Sequence, residues 1–93
     1  VYTQQELETL AEVAKDKDLY IISDEVYREF TNDGLVCTSF GNIKGVEYRV
    51  IIVDSVSKRY SAFGARICSL FSKNKDFIKE ATKQCQARLC VPT

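Results

Sequence analysis

The sequence predicts an α/β fold in which a mixed, mostly parallel sheet is flanked by helices. Three features of the chain lead there. Two short apolar runs, Leu19-Tyr20-Ile21-Ile22 and Val50-Ile51-Ile52-Val53, lack the polar alternation of a half-exposed strand and read as buried parallel strands. An amphipathic helical pattern stands near each end of the chain. A third strand candidate, Ala65 to Phe71, follows the second run after a turn too short for a parallel crossover, so it should run antiparallel.

Each element has a local reason. Thr3-Gln4-Gln5-Glu6 has the spacing of a capping box, a hydroxyl at the cap and a carboxylate three residues on. Leu7, Leu10, Ala11 and Ala14 then recur at helical spacing, and Lys15-Asp16-Lys17-Asp18 ends the helix in a polar turn. Helix, turn and strand make half of a βαβ unit. Asp24 and Glu25 lie just past the first strand. Alone, Asp24 reads as a helix cap or turn former, and Glu25 is given no ligand role.

From Phe30 to Tyr48 the turn signals Asn32-Asp33-Gly34, Gly41-Asn42 and Gly45 predict an irregular connection. Val36 and Phe40 are expected beneath it as core, and Cys37 as a small buried apolar residue. Asn74 should cap the last helix, with Asp76 in its first turn. Phe77, Ile78, Ala81, Cys85 and Leu89 form that helix's apolar stripe, leaving Lys75, Lys79 and Lys83 to face water. Cys85 and Cys90 are read as packing residues.

The bulk numbers remove several classes of function. With 45% hydrophobic and 28% charged residues the composition is that of an ordinary soluble globular protein. The formal charge is zero, so nothing favours nucleic acid or an anionic membrane as a partner. No stretch is apolar for long enough to span a bilayer, and no signal-peptide layout is visible, so a cytoplasmic location is expected. The four cysteines form no C-x-x-C pair and there is no histidine, so no metal site is expected and free thiols are preferred to disulfides. Without histidine, proton transfer must fall to Lys, Asp, Glu, Tyr or Cys.

The chemistry concentrates in Ser55 to Arg66, S-V-S-K-R-Y-S-A-F-G-A-R, directly after the second strand. Ligands of open α/β sheets sit at that carboxyl end. A turn containing Gly64 lets the Arg66 guanidinium return toward the hydroxyls. Ser55, Ser57, Lys58 and Arg66 around one turn suit a phosphorylated ligand with a carbonyl for the amine to attack.

This stretch resembles the lysine motif of class I/II aminotransferases, the fold type I enzymes dependent on pyridoxal 5'-phosphate: S-x-S-K, then glycine and arginine at fixed offsets. Ser23-Asp24-Glu25-Val26-Tyr27 resembles the family's second signature, an aspartate followed three residues later by a tyrosine. The tail Gln86 to Thr93 is similar to the aspartate aminotransferase-like branch. The resemblance implies that residues 1–93 are part of the cofactor-binding large domain of a longer chain. It also implies a homodimer, and transfer of an amino group between an amino acid and a 2-oxo acid through a lysine Schiff base.

By the same resemblance Lys58 is the amine that binds the cofactor aldehyde and later carries the substrate's α-proton. Asp24 faces the ring nitrogen, and Tyr27 donates to the ring's phenolic oxygen. Ser55 and Arg66 match the phosphate-ligand offsets; Ser57, beside the lysine, is a ligand or a shaper of the turn. Cys68 stands where many relatives have glycine, a position expected to crowd the sheet or a neighbouring element without touching the chemistry. The upstream phosphate loop, the aromatic stacked on the ring, the asparagine near the phenolic oxygen and the arginine for the substrate carboxylate have no counterpart here. The segment alone is therefore expected to be inactive. Two alternatives stay open: another fold type I enzyme (lyase, decarboxylase or acyl transferase), or a non-catalytic α/β module.

Overall fold

The computed structural model describes residues 1–32 and 34–88. Helix α1 spans Gln4–Asp16 and starts with the expected capping box. The Glu6 amide donates to Thr3 Oγ1 at 3.3 Å, and Glu6 Oε2 accepts from the Thr3 amide at 2.7 Å. Those bonds, the backbone one foremost, hold the Glu6 carboxyl below its ordinary pKa. A lowered carboxylate pKa means the unfolded chain takes up the proton first. The stabilisation is thus complete above the ordinary glutamate range and fades as pH falls through the lowered value. Thr3→Ala is expected to lower the melting temperature by a few degrees near neutral pH, and by less in acid. Thermal melts across pH would show that narrowing gap.

The other end of α1 closes by a Schellman motif. The Leu19 amide reaches back to the Ala14 carbonyl at 2.8 Å and the Asp18 amide to the Lys15 carbonyl at 3.3 Å. Asp18, at φ 53°, takes the left-handed conformation this requires. That turn uses up Leu19 and Tyr20, so strand β1 covers Ile21–Asp24, two residues later than the apolar run suggests. Asp24 is its last residue rather than the first beyond it.

Strand β2, Val50–Ser55, lies between β1 and β3, Cys68–Phe71. The first pair is parallel, with Ile21 opposite Val50 and Asp24 opposite Val53. The second is antiparallel, with Val53 opposite Leu70 and Ser55 opposite Cys68. The parallel pair was expected from the two apolar runs, and the antiparallel one from the short connection. Strand β3 is shorter than the candidate Ala65–Phe71, because Phe63–Ala65 forms a 3-10 turn and Arg66 at φ 52° breaks extended geometry.

The sheet has two unlike faces. One packs under α1 as a core of Leu7, Ala11, Phe40, Ile43, Val46 and Val50, with Ile21 and Ile52 half-buried against it. Leu10 faces away from this core and is 45% exposed. The opposite face carries Ile22, Asp24, Ile51, Val53, Ser55, Leu70 and Cys68. Ile22 on that face is 72% exposed, so β1 is not buried on both sides.

The 34–48 connection is irregular apart from a 3-10 turn at Phe40–Asn42. Phe40 is core as expected, but Val36 is 83% exposed and Cys37 only half-buried. The hydroxyls and amides around Phe40 decide this, since they fasten residues 39 and 40, not 36, to the body of the fold.

Helix α3, Lys75–Arg88, is capped by Asn74 Oδ1, which accepts from the Phe77 amide at 3.0 Å. Phe77, Ile78 and Ala81 are half-buried and lysines 75, 79 and 83 exposed, but Cys85 is exposed and packs nothing. Leu89, Cys90 and the tail motif beyond Arg88 lie outside the described residues. No helix among the described residues is long and apolar enough to cross a membrane.

Candidate functional site

The site is built at the carboxyl ends of β1 and β2. Strand β2 ends in Ser55, whose side chain caps the single-turn helix α2, Val56–Arg59. Ser55 Oγ accepts from the Ser57 amide at 3.1 Å, lies 2.9 Å from Ser57 Oγ and donates to the Ile67 carbonyl at 3.2 Å. These bonds fold the two ends of the Ser55–Arg66 stretch back onto each other. As a result Ser55, Ser57, Lys58 and Arg66 line one open cavity of about 280 Å³, together with Val26, Ile67 and Cys68. That volume lies near the lower end of small-molecule sites, roughly 300–1,000 Å³. Larger hollows exist, including one of about 530 Å³ between α1 and residues 42–44, but its lining offers no group for chemistry beyond surface polar side chains.

Two hydroxyls, an ammonium and a guanidinium thus face one space with no carboxylate in its lining. Among the described residues neither Lys58 nor Arg66 is in an ion pair. Such a donor set suits a phosphate. Arg66 also holds a left-handed backbone conformation, φ 52° and ψ 39°, which side-chain-bearing residues rarely adopt. The Lys58 Nζ lies 5.0 Å from the centre of the Phe63 ring and 5.8 Å from that of Tyr27. Two aromatic faces therefore hold the amine.

Tyr27 meets the lysine in this way, and packs edge-on against Phe30 at 5.9 Å. Asp24 stands apart. It lines a second hollow, about 240 Å³, shared with Tyr27, Glu25 and Arg28. Its Oδ1 accepts from the Val26 amide at 3.1 Å, so within this chain it does form the turn. By strand register, however, Asp24 and Ser55 project from the same face of the sheet, the one opposite α1. Cys68, on that face too, is exposed and stands in the wall of the Lys58 cavity. Its side chain thus adds a thiol to the lining of that cavity.

Sequence reasoning gave no role to five charged residues that hold this region together. Glu25, 6% exposed, accepts at Oε1 from Ser23 Oγ, Ser39 Oγ and the Phe40 amide at 3.1, 2.8 and 3.1 Å. Asp54, 7% exposed, accepts from Arg59 Nη2 at 3.3 and 3.0 Å and lies 3.4 Å from Arg28 Nη2. Arg59 Nε is 3.1 Å from Glu29 Oε1. Burial works against the Arg59 charge, but Asp54 and Glu29 outweigh it and raise its pKa above the ordinary value. A signal existed: alternation along β2 puts Asp54 on the α1 side with Val50 and Ile52, where a carboxylate needs a cation.

Comparison with known proteins agrees with this architecture. The sequence matches the family model for aminotransferase class I and II over residues 1–93. It is 32% identical to an aspartate aminotransferase of Bacillus subtilis, covering 100% of this chain and 24% of that protein. It is 37% identical to an aromatic-amino-acid aminotransferase of Thermococcus litoralis, covering 72% of this chain and 17% of the relative. Among solved structures, the aromatic aminotransferase from Pyrococcus horikoshii superposes with a TM-score of 0.91 at 29% identity, over 99% of this chain and 24% of that one. The chain thus spans about a quarter or less of the length of these proteins.

Proposed function

This chain belongs to the aminotransferase class I and II family, and on that premise we propose that residues 1–93 are part of the cofactor-binding large domain of a pyridoxal-phosphate-dependent aminotransferase. The whole protein exchanges an amino group between an amino acid, aspartate-like or similar, and a 2-oxo acid. What supports this most is the cavity in which Ser55, Ser57, Lys58 and Arg66 converge without a competing carboxylate. Pyridoxal phosphate, when bound, supplies an aldehyde to which an amine attaches and a ring that takes up electrons from the substrate's α-carbon.

The chain's own residues supply the rest. The Ser57 hydroxyl and the Arg66 guanidinium would donate to the phosphate, joined by the Ser55 hydroxyl once its hydrogen turns from the Ile67 carbonyl. Lys58 would be the amine that holds the cofactor aldehyde, whose oxygen leaves as water, and, when free, the base at hand for the substrate's α-proton. The Tyr27 and Phe63 rings flank that amine, which stays open to solvent. The Tyr27 hydroxyl would donate to the phenolic oxygen, and the Asp24 carboxylate would hold the proton on the ring nitrogen. The open face bearing Ile22 and Asp24 is where the rest of the chain and the second subunit of a homodimer complete the site. Among the described residues, Cys37, Cys68 and Cys85 form no disulfide.

The complete protein, given aspartate and 2-oxoglutarate, is expected to form glutamate and oxaloacetate, and the isolated segment to form neither. Release of carbon dioxide without amino transfer by the complete protein would overturn the assignment in favour of a decarboxylase on the same fold.

A further inference from the structure

Tyr27 and Lys58 meet although neither sits on a long regular element. Tyr27 rides on the turn of residues 26–29, and Lys58 on α2, a helix of one turn. A helix that short does not hold itself, so its place must come from anchors elsewhere. The sequence neighbour of each site residue supplies one. Arg28, next to Tyr27, and Arg59, next to Lys58, reach the same carboxylate oxygen: Asp54 Oδ2 is 3.4 Å from Arg28 Nη2 and 3.0 Å from Arg59 Nη2.

Asp54 does more from its place near the end of β2. Its Oδ1 accepts from the Ser55 amide at 2.7 Å, fixing the backbone of the residue that caps α2. Arg59 extends the link to Glu29 and Arg28 extends it toward Glu25, 3.9 Å away, so both ends of the 26–29 turn are tied in. The Asp54 side chain is only 9% exposed, and a buried carboxylate keeps its charge only when matched by such cations.

We propose that Asp54 is a positioning residue: through Arg28 and Arg59 it clamps the turn of Tyr27 against the turn of Lys58, setting the lysine amine where it can attach to an aldehyde. The proposal rests on Lys58 being the cofactor amine. Asp54 itself touches neither cofactor nor substrate.

The test uses the complete protein with Asp54→Asn, Arg59→Gln and Arg28→Gln, and Arg49→Gln as a control whose ion pair with Asp18 lies at the other end of the sheet. Two quantities are read: kcat and KM for amino transfer, and the rate at which the absorption band of lysine-linked cofactor grows when pyridoxal phosphate is added to cofactor-free protein. A clamp predicts that all three variants lose kcat by about 10- to 100-fold with KM little changed. It also predicts that all three attach cofactor more slowly, and that the Asp54→Asn/Arg59→Gln double variant is no worse than the poorer single.

A field effect predicts opposite changes for the acid and the arginines, because their charges are opposite, and that outcome would overturn the clamp. So would a lowered melting temperature with kcat and attachment rate matching the control. Should Asp54→Asn fail to fold, Arg28→Gln decides by the same measures, since that side chain is 39% exposed. Failure of the underlying reading looks different: Lys58→Ala would then keep the band, whatever the clamp variants do.

Discussion

Lys58→Ala in the complete protein is expected to abolish the absorption band that borohydride reduction otherwise bleaches, and to lower amino transfer on the order of 10⁴-fold. That is the upper end of what a positioned proton carrier contributes, and here attachment is lost as well. Lys58→Arg separates the two ways a cation could act. A guanidinium keeps the positive charge beside the Tyr27 and Phe63 rings but neither condenses with an aldehyde nor gives up its proton. If Lys58 acted only as a charge, the arginine variant would keep most of the activity. As the attaching amine it should be as inactive as alanine. Retention of a borohydride-sensitive band in either variant would rule out this lysine.

The second large effect is expected at Asp24, where the structure offers a clean substitution. Its Oδ1 accepts from the Val26 amide at 3.1 Å, and an asparagine carbonyl can accept the same bond. Asp24→Asn therefore preserves the turn and removes only the charge. An anion close to a protonated ring nitrogen shifts that equilibrium by about 1–3 pKa units. Losing it should cost roughly 10- to 1,000-fold in kcat, with little change in melting temperature. Unchanged kcat in Asp24→Asn would reduce this residue to a turn former. The pair of outcomes at Lys58 and Asp24 thus tests both ends of the cofactor independently.

The parts of the fold that could be read from sequence are those set by neighbours along the chain. The Thr3–Glu6 box and the Asn74 cap follow from spacing, the parallel first pair of strands from their unbroken apolar runs, and the antiparallel third strand from loop length. Strand ends followed less well, because backbone turns at Asp18 and Arg66 displaced them. The site shows the same division. Ser55, Ser57, Lys58 and Arg66 were identifiable as one cluster because a single turn carries them. The link of Arg28 to Asp54 was not, because the pairing of strands far apart in sequence makes it, although alternation along β2 does mark Asp54 as a carboxylate in need of a cation. Val36 was misplaced for a related reason: apolar character says a residue can be buried, and only the hydrogen bonds at Ser39 and Phe40 say which stretch of that connection is held down.

The left-handed backbone at Arg66 has an implication for how this segment tolerates change. An arginine there carries a penalty of about 1 kcal/mol that glycine would not. Glycine would relax the chain and delete the guanidinium at a stroke. With Arg66 as the proposed phosphate ligand, heat resistance and ligand capture pull this position toward different residues, and a protein bred only for endurance would be drawn to surrender that proposed contact.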